Sequence, residues 1–189
     1  MSSARQIVAD YIANGDFDKV LNLSNQGLTK LPDNVPSNIE RLICCDNMLT
    51  ELPTHFTSLQ ELYCSQNELK YLPVEYVHLI RLDCSYNRLT TLPNTYLQLE
   101  ELECNDNLLH SIPNNYNRLK LLNCSYNQIK KLPNTFRQLV ELTCDDNHLR
   151  SIPSTFKYLK TLSCFNNKIT KLNNYPNMEE LIWKRIEIV

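Results

Sequence analysis

Glycine is nearly missing from this chain, which holds only 2 Gly, at Gly15 and Gly27, in 189 residues. Phosphate-cradling loops and tight hairpins lean on Gly for positive φ and for close backbone approach, so dinucleotide-binding, nucleotide-loop and hairpin-rich folds are poor fits. Long apolar runs are missing too. No stretch approaches the roughly 18 to 20 residues that span a bilayer, and the opening MSSARQIVADYIANG has no basic segment followed by an apolar one. A soluble chain without a secretory signal and without a membrane partner is expected. Finally, there is no excess of one charge. With 19 basic and 21 acidic side chains the net charge is −2, so no overall field favours nucleic acid or an anionic membrane.

What is present is enough for one domain with a core, since 42% of the residues are hydrophobic and 21% are charged. The dominant signal is a fixed period. Leu62, Leu82, Leu102, Leu122, Leu142 and Leu162 stand 20 residues apart. The unit reads L-x-x-L-x-C-x-x-N-x-L-x-x-L-P-x-x-F/Y-x-x, as in LQELYCSQNELKYLPVEYVH, and eight of its sites recur in register.

This pattern predicts an α/β repeat solenoid, a curved coil with a parallel concave β-sheet and short convex returns. Each unit contributes one short strand, x-L-x-C-x, whose Leu and Cys point inward while the residues between them face out. Leu69, Leu89, Leu109, Ile129, Leu149 and Ile169 turn the corner, and Leu72, Leu92, Ile112, Leu132, Ile152 and Leu172 begin the return. Pro follows each of the first five of these return residues and stops a ladder or helix there, so the convex side is expected to be extended or 3-10. An aromatic three residues on, from Phe56 to Phe156, can pack beneath it. Asn67, Asn87, Asn107, Asn127 and their equivalents lie where the chain leaves the strand, and stacking turns them into an internal ladder that pairs turn backbone.

The ends depart from the repeat. Residues 1–17 are read as an amino-terminal helical cap, starting at Ser2 or Ser3, stopping at Asn14-Gly15 and burying Ile7, Val8, Tyr11 and Ile12. Residues 18–189 are read as about nine repeats, the last incomplete. That last unit has Trp183 in the Cys slot, and its Ile182, Ile186, Ile188 and Val189 either cap the coil or offer an open strand edge.

The signature LxxLxCxxNxLxxLPxxF resembles the leucine-rich-repeat superfamily over residues 18 to about 185. Within it, the 20-residue unit and the LPDNVPSNIERL segment are most similar to the short class found in bacterial secreted effectors, with similar repeats in giant DNA viruses. The resemblance implies a solenoid that binds protein partners, usually through its concave sheet. Cys in the strand slot departs from that class, which commonly has Val or another aliphatic there.

Catalysis and metal binding are not expected. Cys44, Cys64, Cys84, Cys104, Cys124, Cys144 and Cys164 fall in one column, which suits a row of small buried thiols better than zinc, whose ligands must converge on a point. Free thiols imply a reducing compartment, cytoplasmic or inside a host cell. Cys45 occupies an outward site. The four His fall at four different places in the unit and assemble no triad or metal cluster, and no cofactor motif is present.

Specificity must then reside on the outward strand sites. There the middle units carry Glu61, Asp83, Glu101, Glu103, Asp106, Glu141, Asp145 and Asp146 against one opposing charge, Arg81, with Tyr63, Tyr86 and Tyr126 among them. These eleven acidic and aromatic residues are the candidate partner-binding set. Bases collect elsewhere, Lys70, Lys130, Lys131 and Arg150 in the turns and Arg118, Arg137 and Lys157 on the return. The leading expectation is a scaffold or effector that captures a basic protein surface; the rival is a structural protein that assembles with itself through the carboxyl-terminal strand.

Overall fold

A computed structural model describes residues 3–15 and 20–182. One helix, α1 (Ala4–Asn14), precedes nine strands: β1 (Leu21–Asn22), β2 (Arg41–Ile43), β3 (Glu61–Tyr63), β4 (Arg81–Asp83), β5 (Glu101–Glu103), β6 (Leu121–Asn123), β7 (Glu141–Thr143), β8 (Thr161–Ser163) and β9 (Glu180–Ile182). They form a single parallel sheet in chain order, β1 to β9. Equivalent repeat positions pair directly, Leu62 with Leu82 and Leu82 with Leu102, so one coil stacks on the next without slippage. The α/β solenoid read from the sequence is the fold observed.

The core is a set of columns running the length of the stack. Leu42, Leu62 and their equivalents, the seven column cysteines, and the corner residues from Leu49 to Leu149 are all buried. Phe56, Tyr76, Tyr96, Tyr116, Phe136 and Phe156 fill the convex side. A buried phenol needs a partner, and each Tyr finds one in the preceding coil: Tyr96 Oη donates to Pro73 O at 2.6 Å, and Tyr76 and Tyr116 donate to Pro53 O and Pro93 O. The convex returns are extended segments and turns, and no 3-10 helix occurs among the described residues. The strands are two residues long in β1 and three in the others, shorter than the five-residue segment expected, yet the ladder runs on, with Cys64 N donating to Asp83 O at 2.8 Å.

Helix α1 begins where Ser3 accepts from Gln6 N and ends at Gly15, whose φ of 63° is open to residues without a Cβ. It buries Ala4, Val8 and Tyr11 in the shared core. Ile12, expected on that face, is exposed, because the buried stripe follows Ala4, Val8 and Tyr11 and residue 12 lies about 100° further round the helix from Tyr11. Trp183, Ile186, Ile188 and Val189, on which the self-assembly expectation rests, lie outside the described residues.

Candidate protein-binding surface

Two features of the backbone set the exposed face. The strands place the third and fifth unit positions outward on either side of a buried Leu. The eighth position then turns the chain with positive φ in each coil whose turn is described, at Asn25, Asp46, Gln66, Tyr86, Asp106, Tyr126, Asp146 and Asn166, with φ between 48° and 55°. Seven of these are followed by an Asn whose amide closes the turn. Asn87 Nδ2, for example, donates to Cys64 O at 3.0 Å, Cys84 O at 3.2 Å and Ser85 O at 3.1 Å, while its Oδ1 accepts from Leu69 N at 2.9 Å. The turns are thus held rigidly, and the eighth side chains project as a row along the edge of the sheet.

The third-position column is an ion ladder. Glu61 lies 3.6 Å from Arg41 and 3.0 Å from Arg81, and Arg81 reaches Glu101 at 2.9 Å. Arg41 belongs to the unit before those that define the acidic stripe, which is why Arg81 looked like the lone opposing charge. Glu141 is exposed at the same position two coils on. Tyr63 donates to Glu61 at 3.4 Å, and burial together with the Glu61 charge pushes its phenol above the usual range.

The fifth-position column differs. Asp83 and Glu103 are direct register partners, and neither has an ion pair among the described residues. Asp83 accepts from Ser85 N at 3.0 Å and from the Ser85 hydroxyl. The Glu103 carboxyl is pushed up by partial burial first, then by the Asp83 and Glu101 charges beside it.

Asp145 corrects the expected set. Its residue is 7% exposed, and its carboxylate accepts from Ser163 Oγ at 2.8 and 2.9 Å and from Phe165 N at 2.9 Å. The seventh position has already begun to turn inward, as buried Ser85 and Ser125 also do. Asp145 staples two coils, and its carboxylate is spent on its neighbours in place of standing free on the face.

The eighth-position column carries the rest: Tyr86, Asp106, Tyr126 and Asp146 in consecutive coils. Tyr86 is 54% and Tyr126 52% exposed. Asp106 accepts from Asn105 Nδ2 at 2.9 Å, Asp146 accepts from Asn166, and the Asp146 charge beside Tyr126 lowers the acidity of its phenol. The positive φ at this site was not anticipated, although its residues, mostly Asn and Asp, are those that tolerate it.

Because coils stack in chain order, position along the sequence is position along the axis. Among the described coils, residues 20–109 carry 5 basic and 12 acidic side chains and residues 110–182 carry 10 and 5, so charge separates along the solenoid as well as across it. Among the described residues no group of three His, Cys, Asp or Glu could hold a metal ion, and no helix is long and apolar enough to cross a membrane.

Comparison with known proteins gives the fold its context. The leucine-rich-repeat pattern matches residues 118–139, and no curated protein matches the chain significantly. Among solved structures, YopM from Yersinia enterocolitica WA-314 aligns with a TM-score of 0.76 at 30% identity over 90% of this chain, which spans 40% of that protein. The leucine-rich-repeat domain of a Shigella effector gives 0.80 at 26% identity over 96% of this chain and 87% of its own. A chain of the Drosophila Toll and Spatzle complex gives 0.66 at 28% identity, over 84% of this chain and 26% of its own. The chain folds as a parallel solenoid of short 20-residue repeats and is similar to the leucine-rich-repeat proteins among bacterial effectors.

Proposed function

We propose that this chain is a non-enzymatic protein-interaction scaffold whose exposed sheet captures a basic surface of another protein. The observation that carries the reading is the Asp83 and Glu103 pair: two carboxylates side by side in register, without an ion-pair partner among the described residues, on a face where Arg81 already serves Glu61 and Glu101. Like charges left together raise the free energy of the free protein, and an incoming Lys or Arg relieves both at once. The similarity to effector domains and to a chain of a receptor complex supports a scaffold role. Eight free thiols suit a reducing compartment.

The experiment is capture from a cytosolic lysate by the native chain and by Asp83→Lys with Glu103→Lys, at low and high ionic strength. A basic protein retained by the native chain, released by salt and ignored by the variant is the expected result. Equal retention by both chains would remove the sheet from the account.

A second reading, self-assembly through the sheet edge, draws on one observation. Strand β9 ends the described sheet with Leu181 and Ile182 45% and 47% exposed. Light scattering decides it, since a monomer at all concentrations rules assembly out.

A further inference from the structure

The eighth-position column alternates aromatic and acid, Tyr86, Asp106, Tyr126, Asp146, and this alternation has a length. Stacked parallel strands lie about 4.8 Å apart, so each Tyr and Asp couple repeats every two coils, at about 9.6 Å. A β-strand presents side chains to one face about every 6.7 Å and misses this spacing. A polyproline-II segment presents every third residue to one face, about 9.3 Å apart, and matches it.

We infer that the partner segment is a polyproline-II strand with a basic residue at every third position, laid along the Tyr86 to Asp146 edge. One cation sits over the Tyr86 ring beside Asp106, and the next sits over Tyr126 beside Asp146. Each is held by the ring face and by the carboxylate of the following coil. Both rings are half exposed and fixed by rigid turns, so little ordering is required when the segment docks. A polyproline-II strand is likewise ordered before binding and leaves its backbone solvated, which suits an edge that offers side chains and no free ladder. The inference rests on the preceding reading of a basic partner and adds its conformation and spacing.

Two labelled peptides of identical composition test it. One is Arg-Pro-Pro repeated four times; the other places its four Arg at alternate positions and collects the remaining Pro at one end. Fluorescence anisotropy at low salt should show the first binding at least about fivefold more tightly, and Tyr86→Asn with Tyr126→Asn should erase the difference. Equal affinities for the native chain would overturn the spacing inference and leave the basic-partner reading intact. Absence of binding by either peptide, at a salt concentration where the charge-reversal variant also captures nothing less than the native chain, would overturn both.

Discussion

Leu89 donates its backbone N–H to the side chain of Asn107 in the next coil at 2.9 Å, and the Asn107 amide donates back to Cys84 O at 3.0 Å. One buried side chain therefore closes its own turn and fastens it to its neighbour. Asn107→Ala strands the Leu89 N–H and removes donors from three carbonyls, a loss of about 3 kcal/mol. Asn107→Asp keeps an acceptor but sets a carboxylate against the same carbonyls, and it should cost at least as much. Urea unfolding measures both. If the Asp variant matched the parent, the amide protons would not be holding the coils.

Much of this was legible because a strict period translates into columns: once Leu62, Cys64 and Asn67 are assigned inward, every equivalent follows. The parallel sheet needed nothing further. What the period could not reveal is how side chains choose partners in adjacent coils. Asp145 and Asp146 are neighbours in sequence, yet one is buried on Ser163 and the other turns out toward Tyr126. Arg41 neutralises Glu61 from a unit that looked separate. The outward face of the sheet was thus legible from the period, and the pairing of the charges on it was not.

The cysteine column sets an upper pH limit. Burial raises all seven of its thiols, Cys164 to about 12, and holds Cys44 and Cys104 well above the usual thiol range. A raised thiol contributes stability that is fully present below the unfolded value, near pH 8.5, and is lost as pH climbs toward the folded value. Each thiol costs about 1.4 kcal/mol per pH unit above that point. Against a total stability of about 5 to 15 kcal/mol, seven acting together should unfold the chain cooperatively near pH 10. Circular dichroism in the presence of a reductant reads the transition. In a Cys45→Ser variant, which leaves only the column thiols, thiolate absorbance rising near pH 9 with the fold intact would mean that the column is open to water.

Glu103 works in the acidic range. Its carboxyl is raised by burial and by Asp83 and Glu101, so its contribution is full below the unfolded value and lost as pH rises through the folded one. At pH 7 it is a net cost. Glu103→Gln should raise the melting temperature at pH 7 by on the order of 1 °C and have no such effect at pH 4, while weakening capture of a basic partner. Equal shifts at both pH values would point to packing and not to charge.

If the proposed edge is the binding site, Tyr86 and Tyr126 set stability against binding at the same atoms. Both hold φ above 50°, a region that costs an ordinary side chain about 1 to 2 kcal/mol and that Asn enters readily. Asn25 and Asn166 fill the same position at the two ends of the row, so the substitution is already built into this fold. Tyr86→Asn with Tyr126→Asn should therefore raise the melting temperature by about 2 to 6 °C while weakening salt-sensitive capture several-fold. Stability and binding moving in opposite directions is the signature of residues kept for a partner. Were the variant both less stable and equally able to bind, the rings would be packing elements and the edge would have no claim to a ligand.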